Sequence, residues 1–216
     1  MSQWNIAAAQ YAGQHHSVND HVAHHLRFVA EAAQQRCDLL VFPELSLTGP
    51  GRTDLPPPPD DAQLAPLLAA AKRYRITIIA GLPLDLNGQR VKGLALFSPS
   101  RHSILRYPQG SGASLVPGDK QLTIVDTHAD SPNLDPQATL FTSCQSVGDT
   151  RWRQSINTLQ RFAHRYAIAV LMANARGGSA LWDEKGQLIV RADKGELLLT
   201  GSLGRQGWQG DIIPLG

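Results

Sequence analysis

Runs of apolar residues alternate with helically spaced ones along this chain. Ile6 to Ala9 is a short apolar run that reads as a strand. Ser17 then stands where it can cap a helix, with Asp20 near the helix's positive end, and Val18, Val22, Leu26, Val29 and Ala33 recur at helical spacing. The run Asp38-Leu39-Leu40-Val41-Phe42-Pro43-Glu44 follows. Leu39 to Phe42 has the pattern of a strand buried on both faces, and Pro43, which has no N–H for a sheet ladder, should end it. A proline-rich loop from Arg52 to Asp61 leads to a helix over 62–74 with Leu64, Leu67, Leu68 and Ala71 on one side. Ile76 to Ala80 is β-branched and apolar, a buried strand, and Leu94 to Phe97 with Ser103 to Leu105 reads as a hairpin.

The second half repeats this order from about Gln121. Strands are expected over 122–125 and 138–142. A helix over 151–165 carries Trp152, Ile156, Leu159 and Phe162, and a buried strand follows over 167–173. Ala180 to Trp182 and Gln187 to Val190 flank a four-residue turn, Asp183 to Gly186, and Leu197 to Leu199 is a last strand. The halves look like two copies of one plan, with one difference. Between Ala9 and Asp38 lie 28 residues and a full helix, whereas only 12 lie between Val125 and Ala138. Pro132 and Pro136 argue against a helix there.

At 216 residues the chain is expected to form one domain over 1–216. A net charge of +2 gives no argument for nucleic acid or a membrane surface. No apolar run approaches the ~20 residues of a membrane span. Met1-Ser2-Gln3-Trp4-Asn5 lacks a basic n-region, and Cys37 and Cys144 are too few for a disulfide scaffold, so a reduced, cytoplasmic protein is expected. His15, His16, His21, His24 and His25 invite a metal reading, since His21 and His25 fall on one helix face. No cysteine or carboxylate completes a ligand set, so the expectation is a solvated face and no metal. Gly110-Ser111-Gly112 joins no strand to a helix, and no cofactor is expected.

Glu44 should sit just past a strand's carboxyl end, where open α/β sheets place their ligands. Val41-Phe42-Pro43-Glu44-Leu45-Ser46-Leu47-Thr48-Gly49 resembles the glutamate signature of the nitrilase superfamily, the carbon–nitrogen hydrolases. Arg161 to Asn174 is similar to that family's late helix and strand, and Gly178 to Gly186 to the hairpin after them. The resemblance implies a four-layer α-β-β-α sandwich in which a glutamate base works with a lysine and a nucleophilic cysteine on amides or nitriles. It also implies a small amide- or acid-like ligand and a homodimer, with Trp208, Ile212, Ile213 and Leu215 packing on the body or a partner subunit.

The chain departs from the family at the chemistry. Asp126 matches the aspartate two positions after the family's cysteine, which puts Ile124 at the cysteine position. Gln109 stands at the lysine position, two residues after Tyr107, and no glutamate follows before Asp119. The helix after the cysteine-bearing strand is missing. Of the triad only Glu44 is in place, so the resemblance implies an impaired or inactive protein that binds a ligand or a partner. The alternative is an active amide hydrolase with a rearranged site. In it Glu44 is the base and Cys144, after the neighbouring strand, is the substitute nucleophile; Asp126 and His128 are a weaker acid/base pair. Cys37, at the starting end of its strand, is expected to pack only.

Overall fold

The computed structural model describes residues 4–11, 13, 16–50, 54–111, 114–115, 122–124 and 138–215. The first half gives β1 (Trp4–Gln10), α1 (Val18–Gln34), β2 (Leu39–Val41), α2 (Asp61–Tyr74), β3 (Thr77–Leu86), β4 (Gln89–Phe97) and β5 (Leu105–Pro108). The second gives β6 (Ser114–Leu115), β7 (Leu122–Ile124), β8 (Leu140–Gln145), α3 (Asp149–Tyr166), β9 (Ala169–Asn174), β10 (Ala180–Trp182) and β11 (Leu188–Arg191). It ends with β12 (Leu197–Gly204) and β13 (Gly207–Pro214).

The helices start where local chemistry caps them. The Ser17 hydroxyl accepts from the Asp20 N–H, and Asp60 and Gln63 form a reciprocal capping box at α2. Two sheets result, ordered β13-β12-β1-β2-β3-β4-β5 and β11-β10-β9-β8-β7-β6. In the first, β1, β2 and β3 run parallel, followed by antiparallel β4 and β5. In the second, β7, β8 and β9 run parallel, followed by antiparallel β10 and β11. The repeated plan of the sequence is therefore a repeated sheet topology. The counterpart of α1 would fall between β7 and β8, and residues 125–137 lie outside the described residues.

Alternation along the strands builds four layers. Ala7, Leu40, Phe42 and Ile78 face α1 and α2, packing on Val22, Phe28, Leu64 and Leu67. Ile6, Ala8, Leu39, Val41 and Ile79 face the second sheet's Leu140, Cys144, Leu171 and Ala173. Phe141, Val170 and Met172 face Leu159 and Ala163 of α3. The fold is thus an α/β sandwich of the α-β-β-α kind.

Several boundaries differ from the sequence reading, among them the strand expected over 138–142, which is β8 and runs to Gln145, so Cys144 lies within it rather than after it. β3 and β4 are longer than expected because Asn87-Gly88 joins them in a tight hairpin, with φ of 51° and 80°. β12 continues into β13, an added hairpin on the edge of β1. Trp208 on β13 packs against Trp4 of the same chain, ring centroids 5.9 Å apart. No described helix is long and apolar enough to cross a membrane.

The histidine face is not solvated. His21 and His25 are buried, both against Tyr11 and His25 also against Phe42, because each finds polar partners inside. The Tyr11 hydroxyl meets His21 Nδ1 at 2.6 Å. His25 Nδ1 faces the His21 carbonyl at 2.7 Å, which only accepts, so the proton sits on Nδ1. His25 Nε2 then accepts from the Ser46 hydroxyl at 2.9 Å. His16 is exposed, and His24 pairs with Glu196 at 2.8 Å.

Cys37 packs as expected, buried in the helix-facing layer. Burial first, and the Asp38 carboxylate second, push its thiol up from about 9 to about 12. The folded chain therefore holds this proton more tightly than the unfolded one. That contribution is complete below pH 9 and lost as pH rises towards 12. Cys37 should resist iodoacetamide in the native protein at pH 8 and react once urea unfolds it, as peptide mass spectrometry would read. Fast native labelling would contradict the burial.

Candidate active site

The carboxyl ends of β2 and β8 meet across the two sheets. Past Val41, Phe42 still donates to the Ile79 carbonyl at 2.8 Å, and the chain then turns through Pro43 to Thr48. Ser46 N–H returns to Pro43 and Thr48 N–H to Leu45, while Leu47 N–H docks on Gly81 of β3 at 3.0 Å. Leu45 holds a left-handed φ of 55°, a conformation that surrounding contacts must enforce in a branched residue. The His25–Ser46 bond ties the turn to α1. Glu44 N–H reaches the Gln145 carbonyl at 3.4 Å, which joins the turn to the end of β8.

Asn174 fixes the chain leaving β8. Its side-chain amide accepts from Val147 N–H at 2.9 Å and donates to the Val147 carbonyl at 3.0 Å. Ala175 N–H shares the Gln145 carbonyl at 3.1 Å.

The Glu44 carboxylate is largely enclosed, with a side-chain exposure of 17%, and each oxygen has a donor. Lys92 Nζ lies 2.8 Å from Oε1, and Gln109 Nε2 lies 3.3 Å from Oε2. Gln109 Nε2 is also 3.3 Å from the Cys144 carbonyl, so one amide spans the carboxylate and the end of β8. Lys92 and Gln109 are cross-strand neighbours. Gly93 pairs with Pro108, and Gln109 N–H donates to the Lys92 carbonyl at 2.9 Å. Leu94 and Leu96 of β4, and Tyr107 of β5, point between the sheets, so Lys92 and Gln109 extend those inner rows by period two. On β8, Leu140 and Cys144 belong to the same layer and Phe141 to the opposite one. The Cys144 thiol therefore faces the inter-sheet side, at 6% exposure.

A carboxylate able to move a proton, an ammonium, an amide donor and a buried thiol are thus collected at one end of the sandwich. An ion pair as open as Lys92–Glu44, where the lysine side chain is 45% exposed, contributes about 0–1 kcal/mol to stability. Its larger effect is to fix where a positive charge stands.

Glu44, Gln109 and Cys144, all singled out in the sequence, come together here. Ile124 ends β7, next to β8. Asp126 and His128 lie outside the described residues. Lys92 was missed. A hairpin that begins at Leu94 does not include it, although the Asn87-Gly88 dipeptide signals a strand from residue 89.

Residues 5–109 match the family described as carbon-nitrogen hydrolase. Among solved structures, the chain is similar to the NitN amidase from Nesterenkonia sp. AN1, at 19% identity and a TM-score of 0.75, covering 91% of each chain. It is similar to a carbon–nitrogen hydrolase superfamily protein from Xanthomonas campestris that carries an arsenic adduct in its active site. There identity is 15% and the TM-score 0.76, over 95% of this chain and 92% of that one. The glutamine-dependent NAD+ synthetase from Acinetobacter baumannii also matches, at 13% identity and a TM-score of 0.73. That match covers 96% of this chain, which spans only 47% of the synthetase. At these identities the structures speak for the nitrilase-type fold.

Proposed function

The chain belongs to the carbon–nitrogen hydrolase family, through residues 5–109, and on that premise we propose that it is an amide hydrolase with a rearranged site in which Glu44 is the base and Cys144 the nucleophile. The observation that carries this reading is the Gln109 amide, which reaches the Glu44 carboxylate and the Cys144 carbonyl at 3.3 Å each. A link of this kind between the residue that bears the thiol and the carboxylate supports their acting together.

Glu44 takes the thiol proton, and the thiolate attacks the amide carbon as the carbonyl electron pair moves to oxygen. When that pair returns, the C–N bond breaks, and the leaving nitrogen carries away the proton held by Glu44. Water then attacks the thioester, giving its proton to Glu44, and the acid leaves as the C–S bond breaks. Glu44 returns that proton to the sulfur. The substrate class is a small amide. A cysteine-to-alanine variant of the Nesterenkonia amidase has a structure in complex with butyramide, which supports this choice. A reduced, cytoplasmic setting is supported by two cysteines in no disulfide. A homodimer is supported by family resemblance alone.

A second reading is a retired site that binds a small amide or acid without turning it over. The uncharged Gln109 at the family's lysine position favours it. Ammonia release from a panel of small amides and nitriles separates the two. The hydrolase reading expects turnover that falls about 100-fold in Glu44→Gln. Release equal in the two proteins would leave the retired site.

A further inference from the structure

The family's lysine position holds Gln109, yet a positive charge stands at Glu44. We propose that Lys92 supplies, from the neighbouring strand, the cation that stabilises the oxyanion in amide hydrolysis, while Gln109 keeps only the hydrogen-bonding part of that task. The proposal rests on the amide-hydrolase reading above.

Register makes the exchange physically cheap. Gln109, one residue past β5, lies across from Lys92 of β4, bonded through Gln109 N–H and the Lys92 carbonyl at 2.9 Å. Directly opposed side chains leave the backbone about 5 Å apart on one face. A lysine's four-carbon stem spans that offset, so a cation moved from 109 to 92 still reaches the same carboxylate. Lys92 Nζ takes Oε1 at 2.8 Å and Gln109 Nε2 takes Oε2 at 3.3 Å. Two neighbouring side chains thus divide one carboxylate, one giving charge and the other a neutral donor.

The position suits the reaction. When a thiolate adds to an amide carbon, the carbonyl electron pair moves onto oxygen, and negative charge grows at an atom that was neutral in the substrate. A fixed ammonium lowers the energy of that state more than that of the substrate, which is the condition for raising kcat. Lys92 extends the inner row of Leu94 and Leu96, on the first sheet's face towards the layer that holds Cys144 of the second sheet. Its ammonium is held by Glu44 before substrate arrives, so little ordering is left to do at the reacting centre.

The test uses the full chain, with ammonia release from butyramide and other small amides as one readout. Acylation of Cys144 by 4-nitrophenyl butyrate, read by mass spectrometry, is the other. Lys92→Met should lower kcat about 100-fold with little change in KM, and should slow acylation similarly, while its thermal melting stays near that of the wild type. Adding Gln109→Lys to Lys92→Met should restore at least about tenfold, because it returns a cation to the same carboxylate from across the ladder. Turnover or acylation unchanged by Lys92→Met would overturn the proposal and leave the hydrolase reading standing. So would a double variant no faster than Lys92→Met. A wild type that neither releases ammonia nor acylates Cys144 would remove both.

Discussion

Cys144→Ala is expected to abolish ammonia release from small amides, a loss of about 10^4-fold or more, and to abolish acylation by an activated ester. The chain has two cysteines. Cys37 sits in the layer between the first sheet and its helices, with a thiol that burial keeps protonated. Ile124 carries no nucleophile. The covalent route therefore has one thiol to use, on the inner row of β8, at the residue whose carbonyl the Gln109 amide links to the Glu44 carboxylate. The matched control is Cys37→Ala, which should keep turnover within about twofold and lose some stability through the cavity it leaves. Cys144→Ala that retained turnover within tenfold of the wild type would end the covalent reading and point to water activated directly by Glu44.

The layers were legible in the sequence because burial on both faces writes itself as unbroken apolar runs. Leu39 to Val41 and Ala169 to Ala173 show it, and both became central parallel strands. The cap of α1 was legible for a similar reason, since Ser17 acts within its own turn. What failed was anything set by partners distant in sequence. His21 and His25 looked like a solvated face because nothing local shows that Tyr11, 10 residues before His21, and Ser46, 21 residues after His25, would satisfy their nitrogens. Lys92 falls outside the strands that the apolar pattern marks, and its place beside Glu44 follows from the register of β4 on β5, which Asn87-Gly88 sets from one side. Comparing triad residues position by position finds a missing lysine. The sheet brings one back from the next strand.

Gly81→Ala is expected to disable the site from beneath it. A Cβ at Gly81 would lie 2.2 Å from Leu45 N, 2.7 Å from the Pro43 carbonyl oxygen and 2.9 Å from Glu44 C, all backbone atoms that no rotamer change can move aside. The turn carrying Glu44 lies flat on β3 because this position has no side chain, and Leu47 N–H bonds the Gly81 carbonyl in the same contact. To admit a methyl group the turn must lift. It would then release the left-handed Leu45 and carry the carboxylate away from Lys92 and Gln109. Overpacking of this kind costs about 1–3 kcal/mol, readable as a lower urea midpoint at unchanged slope. Displacement of a catalytic group by about 1 Å costs on the order of 100-fold in rate, so turnover should fall further than stability alone explains. Gly88→Ala separates the two effects. Gly88 has a positive φ, of 80°, which Gly81 does not, and nothing lies within 4 Å of its added Cβ. It should cost about 1 kcal/mol through backbone strain and leave kcat unchanged. If Gly81→Ala behaved like Gly88→Ala, with stability lowered and turnover intact, the Glu44 turn would not depend on that close approach, and its position would be set by the His25–Ser46 and Glu44–Gln145 bonds instead.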